Sequence, residues 1–307
     1  MSSQLVTVDK KFNNYEDFFD FISPHRKDGL FSKKRHEFIF RGHSKSEYKL
    51  VPTVFRDNID LDKYISSDHI WSDMLLHHQK ECLVIMNFCK AANQRGLHIP
   101  GYHHIESAMR NNEVLLKKII RLNTWIPDEF LELVVLAQHY GLPTRLLDWT
   151  TNVYIAVYFA FKHATKDSDI TLWCMNKTAI EIKNHCHKLK FTMPPYHYND
   201  NLNAQKGMLT YWDDHFTPYL ESNADDHNLK FSMVSPPVEK RPLDELIECA
   251  FVDNKVTVDR GFVPFTKISL PGSEAIKGRE VLKIMGFTSS SLFPGYDGVV
   301  QEMKFGI

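Results

Sequence analysis

Two stretches of the chain place polar side chains beside apolar runs, where a polar group needs a specific partner. In the first, Arg41 follows the apolar residues Phe38, Ile39 and Phe40. A guanidinium offers a rigid fork of donors suited to phosphate or carboxylate, whereas a structural arginine more often lies on a solvated face. The sequence therefore makes Arg41 a candidate for binding an anion.

The second stretch, residues 137–152, reads AQHYGLPTRLLDWTTN. Arg145 and Asp148 flank two leucines that the pattern predicts to be buried, so each polar group needs a hydrogen-bond partner or costs about 1–3 kcal/mol. One interpretation is a structural Arg145–Asp148 ion pair that joins a strand to the next helix, with Thr150 helping to cap that helix. The other is a cleft in which these groups face Arg41. Both interpretations stay open at this point.

Composition limits the classes of protein that these residues can serve. The 307 residues are 43% hydrophobic and 24% charged, with a formal net charge of -1, so we expect a compact fold without a dominant basic face. Five scattered cysteines without a Cys-x-x-Cys pair indicate neither disulfides nor a zinc ribbon. The histidines in residues 185–188 and at 197 fit no standard zinc spacing, and we predict no metal site. Without a signal-like or membrane-spanning segment, we expect a cytoplasmic protein.

Four local elements must position the polar groups. The run at residues 38–40 is typical of a buried strand, and residues 127–140 of a helix that ends at Gly141. Residues 144–149 then predict a second buried strand, followed by a helix over residues 152–164 that Thr151 or Asn152 caps. Arg41 and the second stretch would thus both lie at strand ends.

The rest of the chain predicts an α+β fold, a mixed β-sheet core with flanking helices. We expect helices at 14–23, 67–92, 273–285 and near the C-terminus, and strands at 169–175, 247–252 and 265–270. Residues 176–229 are polar and weakly periodic, and we interpret them as an inserted loop region or lid. The predicted division is therefore a core at 1–175, an insertion at 176–229, and a C-terminal part at 230–307 that completes the same domain.

Three blocks of sequence together resemble the FRG domain family. They are FIFRG at 38–42, YKLVPTVFR at 48–56, and AQHYGLPTRLLDWTTNVYIAVYFA at 137–160, and LFPGYDG near the C-terminus is similar to the family's last motif. The resemblance implies no established reaction. It marks these motif positions: Phe40, Arg41, Gly42, Gln138, His139, Gly141, Thr144, Arg145, Leu147, Asp148 and Thr150.

A looser resemblance concerns the architecture of ADP-ribosyltransferases, in which one strand presents an Arg or His and a second presents a hydroxyl before a helix. It implies NAD as substrate, a phosphate or ribose held by Arg41, nicotinamide stacked on Tyr140 or Trp149, and Thr150 supporting the site. The full set of NAD-binding candidates is Arg41, Gly42, His139, Tyr140, Thr144, Arg145 and Trp149.

The catalytic carboxylate of that architecture has no clear counterpart in the sequence. Four candidate acids lie in the C-terminal third, and none belongs to a Glu-x-Glu or Gln-x-Glu strand: Glu245, Glu248, Asp259 and Glu302. Glu302 follows a glutamine but falls on a predicted helix, and Asp148 could serve instead. The catalytic candidates are therefore Arg41, Asp148, Thr150 and Glu302.

Three functions fit these residues. The leading hypothesis is an NAD-consuming transferase or glycohydrolase that acts as an antiviral or toxin-like effector on a nucleic-acid or protein acceptor, with no membrane partner. The second is a module that binds a nucleotide, phosphate or nucleic acid without turnover. The third is a new type of nuclease that uses Asp148, His139 or His43. A carboxylate that converges on Arg41 and Thr150 would favour catalysis over binding alone.

Overall fold

A seven-stranded mixed sheet forms the centre of the protein. The computed structural model describes residues 6–32, 36–65, 77–110, 118, 124–183, 186–193, 200–214, 219–225, 228–234, 238–254 and 263–307. The strands are β1 (Thr7–Lys11), β2 (Phe38–His43), β3 (Leu147–Thr150), β4 (Ile170–Asn176), β5 (Leu189–Thr192), β6 (Gly207–Trp212), β7 (Tyr219–Asp225), β8 (Asn228–Val234) and β9 (Phe265–Leu270).

The strand order in the main sheet is β1-β9-β4-β2-β3-β6-β5. Strands β1 and β9 pair in parallel, and the other neighbours pair antiparallel. Strands β7 and β8 form a separate antiparallel hairpin.

Helices flank this sheet. In chain order they are α1 (Tyr15–Phe21), α2 (His77–Gln94), α3 (Tyr102–Arg110), α4 (Leu131–His139), α5 (Val153–Lys162), α6 (Lys177–Lys183), α7 (Asp200–Ala204), α8 (Leu243–Asp253), α9 (Gly272–Ile284), α10 (Ser289–Leu292) and α11 (Tyr296–Phe305). The predicted mixed sheet with flanking helices is confirmed, whereas an ADP-ribosyltransferase-like arrangement stays a prediction. No helix in the described part of the chain is both long and apolar enough to cross a membrane.

Local sequence signals explain the elements around the second stretch. A 3-10 turn at Asp128–Phe130 leads into α4, and Gly141 follows its end with φ +87°, a left-handed conformation that glycine adopts without steric cost. At the start of α5, the Asn152 side chain accepts a hydrogen bond from the Tyr154 backbone N–H at 2.9 Å. The predicted order of helix, glycine turn, strand and capped helix is confirmed.

One predicted strand is wrong. Residues 247–252 lie in helix α8, which begins directly after Pro242 and carries Asp244 and Glu245 in its first turn. Its buried residues Leu243, Leu246, Ile247 and Phe251 recur at helical spacing, and the short apolar run concealed that period. For the helix predicted at 67–92, the described part is α2, and the beginning of the prediction falls outside the described residues.

The region predicted as an insertion or lid, residues 176–229, contributes regular structure. Strands β5 and β6 form one edge of the main sheet, where β6 pairs with β3 over four residue pairs. The proposed division into domains stays a prediction.

The two faces of the sheet pack against different helices. Phe40 packs in a cluster with α1, α5 and α9, and Ile39 packs in another cluster with residues of α8. Because successive side chains alternate along a strand, Arg41 projects on the same side as Ile39.

Candidate functional site

The central strands β2 and β3 separate after a single residue pair. Phe40 pairs with Thr150, whereas β2 continues beside β4 as far as His43. Arg41 bridges the gap that this separation opens, because its Nη1 donates a hydrogen bond to the backbone carbonyl of Asp148 at 2.6 Å. The guanidinium thus satisfies an acceptor that an antiparallel neighbour would otherwise occupy.

A cleft of about 540 Å³ lies at this gap. Such a volume falls within the range of roughly 300–1,000 Å³ that is usual for small-molecule sites. Its polar lining comes mainly from the two predicted stretches: Arg41, His43, Gln138, His139, Asp148 and Thr150. Its aromatic lining is Tyr48, Trp149, Phe159 and Phe293.

His43 fixes the guanidinium of Arg41. Arg41 Nε donates to His43 Nε2 at 3.0 Å, and because arginine has no acceptor, Nε2 must carry the lone pair. His43 Nδ1 then donates to the Tyr48 carbonyl at 3.1 Å. Burial, and secondarily the charge of Arg41, lowers the pKa of His43 to about 3, so the ring is neutral at physiological pH. The sequence raised His43 only for the nuclease hypothesis.

Arg41 is a partly desolvated cation. Its side chain is 18% exposed, and burial lowers its pKa while the nearby carboxylate of Asp148 raises it. Nη1 lies 3.8 Å from Asp148 Oδ2. Among the described residues none accepts a hydrogen bond from Nη2, which leaves this donor for a ligand.

A relay of hydrogen bonds sets the position of Asp148. Gln138 Nε2 donates to Asp148 Oδ1 at 2.7 Å, and the Thr144 hydroxyl donates to Gln138 Oε1. Thr144 in turn accepts from the Leu146 backbone N–H at 3.2 Å. Asp148 itself is 66% exposed, so the relay presents a carboxylate to the cleft without burying it. Thr144 is absent from the described lining of the cleft and contacts it through Gln138, and its role in NAD binding stays a prediction.

Trp149 and Thr150 are bonded to neighbouring elements. Trp149 is buried, and its Nε1 donates to the hydroxyl of Thr210 on β6 at 2.8 Å. The Thr150 hydroxyl donates to the Gln205 carbonyl at 2.7 Å. Both residues line the cleft, but their polar atoms already have protein partners.

Arg145 belongs to a different network, so of the two interpretations left open by the sequence the Arg145–Asp148 ion pair is wrong. Arg145 is 1% exposed, and its Nε and Nη2 donate to the two carboxylate oxygens of Glu81 at 2.7 and 2.8 Å. Its guanidinium carbon lies 5.2 Å from the Phe55 ring and 5.4 Å from the Trp125 ring. Because Glu81 lies 64 residues from Arg145 in the chain, no local pattern indicates this pairing. The sequence suggested Asp148 because it is the acid nearest to Arg145 along the chain.

Three other candidates have different surroundings. Tyr140 is 71% exposed and, like Glu302, is absent from the described lining of the cleft. Glu302 accepts from the backbone N–H of Ser290 at 3.1 Å and from its hydroxyl. Gly42 lines the cleft, but a Cβ there would lie 1.9 Å from the Ala156 carbonyl oxygen, so β2 and α5 require glycine for their close approach.

Asp148 is the carboxylate that the described residues bring to the cleft. It lies 3.8 Å from Arg41, and Thr150, two residues further along β3, lines the same cleft. The described residues contain no group of three metal-ligating side chains placed to hold an ion. His43 and His139 also line the cleft, but both ring nitrogens of His43 are engaged, and His185, His197 and Asp259 lie outside the described residues.

Comparison with known proteins gives one match, to the family model for the FRG domain, over residues 36–169. The matched region includes β2, β3 and the residues of the relay. No curated protein and no solved structure matches the chain.

Proposed function

Because residues 36–169 form an FRG domain, we propose that this domain carries the active site of an NAD-consuming enzyme of the ADP-ribosyltransferase type. The observation that supports the proposal is the meeting of a guanidinium and a carboxylate, Arg41 and Asp148, in one cleft 3.8 Å apart. Transfer of ADP-ribose and hydrolysis of NAD share the same first step, the loss of nicotinamide.

The cleft has groups that suit the parts of a dinucleotide. Arg41 offers Nη2 to a phosphate oxygen, and its Nε and Nη1 are held by His43 and by the Asp148 carbonyl, so the fork is already oriented. Aromatic walls and a volume of about 540 Å³ suit a planar ring beside a charged group.

Asp148 supplies the charge that the reaction needs. When the glycosidic bond breaks, positive charge develops on the ribose, and a fixed carboxylate lowers the energy of that transition state. Gln138 holds one oxygen of Asp148, and the other faces Arg41. The proposal therefore assigns anion binding to Arg41, charge stabilisation to Asp148 and orientation to Gln138.

A role in antiviral defence or toxin action would follow from the same reaction, since removing NAD disables the metabolism of a cell. This cellular role rests on the proposed reaction alone.

A non-catalytic nucleotide-binding module is the second candidate. It is favoured by the fact that both carboxylate oxygens of Asp148 already face donors, Gln138 and Arg41, and that the described lining contains no second carboxylate to move a proton. Ligand binding without turnover would use Arg41 and the aromatic side chains of the cleft. It would not require Asp148 to stabilise a transition state.

Nicotinamide release from NAD by the purified full chain tests the proposal. Arg41→Ala, Asp148→Asn and the control Arg110→Ala, which changes an exposed arginine of α3, are compared after thermal melting has shown that each is folded. We expect release by wild type and Arg110→Ala, loss of NAD binding in Arg41→Ala, and retained binding with at least about 100-fold slower release in Asp148→Asn.

Two results would contradict the enzyme. Binding that depends on Arg41, without release under any condition including added nucleic acid or protein acceptors, would establish the binding module. Absence of NAD binding by wild type would refute both candidates for this ligand.

A further inference from the structure

The C-terminal LFPGYDG motif lies outside the region matched by the FRG model, yet it contributes Phe293 to one wall of the cleft. It joins α10 to α11, and these two helices fold back on each other and on α5. A Cβ at Gly298 would lie 2.0 Å from the Phe293 carbonyl oxygen, so the turn closes only around glycine. Helices α10 and α11 with the motif between them form a helical hairpin. The hydroxyl of Ser289, at its start, is hydrogen-bonded to Tyr158 Oη of α5 at 2.6 Å and donates to the carbonyl of Ile307, beyond its end, at 2.6 Å.

A buried lysine at the end of α5 anchors the same hairpin. Lys162 is 6% exposed, and its Nζ donates to the side-chain oxygen of Gln301 on α11. The ammonium lies 4.7 Å from the ring centre of Phe293, 5.4 Å from Phe305 and 5.6 Å from Tyr158. Ring faces attract a cation most strongly where water is absent, so this cage fixes the rings around Lys162.

Phe293 belongs to both the cage and the cleft. Its ring meets the ring of Phe159 edge to face, with centroids 6.1 Å apart, and both rings line the cleft. From the other side, Gln205 Nε2 donates to the Leu292 carbonyl at 3.1 Å. Phe293 is thus a partly exposed aromatic side chain. Its contacts include Phe159, which lines the cleft, and Lys162, which is absent from the described lining.

We propose that Phe293 binds the planar heterocyclic ring of the ligand and that Lys162 is a positioning residue that holds Phe293 against the cleft. This inference rests on the proposed function, because it takes Arg41 as the group that binds the phosphate of the same ligand. In this proposal the base stacks on the Phe293 side chain that lines the cleft, and stacking on an aromatic side chain accepts any base. The ligand class is therefore a nucleotide that carries both a base and a phosphate.

Two probes separate the ring from the charge. ADP-ribose carries a base and a pyrophosphate, whereas inorganic pyrophosphate carries the charge alone, and both affinities are measured by displacement of one fluorescent nucleotide. The variants are Phe293→Leu, Lys162→Met and Lys162→Arg, with Lys304→Met as control for loss of a lysine on the exposed side of α11.

We expect Phe293→Leu to weaken ADP-ribose by about tenfold, the lower part of the range for base stacking, and to leave pyrophosphate unchanged. Lys162→Met should produce the same selective loss, Lys162→Arg should restore most of it, and Lys304→Met should change neither affinity. A residue with a purely structural role would not alter the ratio of the two affinities.

The outcomes distinguish this inference from the function on which it rests. If Arg41→Ala loses both probes while Phe293→Leu keeps the wild-type ratio, the ring assignment is wrong and the anion site stands. Equal weakening of both probes in Lys162→Met overturns its role as a positioning residue. If neither ADP-ribose nor pyrophosphate displaces the fluorescent nucleotide from the wild-type protein, both the proposed function and this inference fail.

Discussion

Arg41 and Arg145 are both motif arginines, but their surroundings give them opposite roles. Arg41 is bonded to a neutral histidine and a carbonyl, so its charge is oriented but only partly compensated. Arg145 donates to both oxygens of Glu81 and lies close to two aromatic rings, so its charge is compensated inside the protein. The sequence could identify two arginines that need partners, but not which of them has a buried acid.

The ion pair of Arg145 and Glu81 gives a prediction about stability. Glu81→Gln should lower the free energy of unfolding by about 3–5 kcal/mol, because it leaves a buried guanidinium without its main compensating charge. Chemical denaturation measures the change. The matched control is Glu106→Gln, which removes an exposed partner of Arg110 at 2.5 Å and should cost no more than about 0.5 kcal/mol. Equal losses in both variants would contradict the assigned role.

At the scale of elements, Gly42 allows β2 to approach α5 closely beside Arg41. Gly42→Ala places a methyl group 1.9 Å from the position of the Ala156 carbonyl oxygen, and neither backbone can move freely. We expect a loss of about 1–3 kcal/mol, as for other overpacked sites, together with weaker ligand binding. Ser107→Ala, at an exposed position of α3, is the control. A Gly42→Ala protein of wild-type stability would contradict the close approach.

Elements with a local signal were predictable, and those defined by distant contacts were not. Asn152 as a cap, Gly141 as a helix end and the strand before Arg41 all follow from neighbouring residues. The helix α8 was missed because a short apolar run fits two periods. The contribution of Phe293 to the cleft was missed for another reason, since it lines the cleft together with Thr150 of β3, which precedes it by more than 140 residues.

For the whole molecule, buried neutral histidines predict sensitivity to acid. Burial lowers the pKa of His43 to about 3 and the pKa values of His77 and His78 to about 4. Between pH of about 6.5 and 4 the unfolded chain therefore binds more protons than the folded chain, so stability falls as pH falls, by about 1.4 kcal/mol per pH unit for each such histidine.

Urea denaturation across this pH range measures that slope. His43→Asn should reduce it by about 1.4 kcal/mol per pH unit, because this histidine no longer takes up a proton on unfolding. Asn93→Gln, which changes an exposed side chain of α2 that does not titrate, should leave the slope unchanged. A slope that is the same in wild type and His43→Asn would show that His43 does not stay neutral in the folded protein.

The single pairing of β2 with β3 also has a mechanical consequence. Four strands lie on one side of the Phe40–Thr150 pair and three on the other, and α5 packs across both groups. Pulling β4 from β9 would break six residue pairs, whereas opening the sheet at its centre breaks one pair and the bond from Arg41 to the Asp148 carbonyl. The two halves of the sheet are thus joined by the fewest residue pairs at its centre. A ligand that contacts both Arg41 and Asp148 would link these halves and oppose their separation.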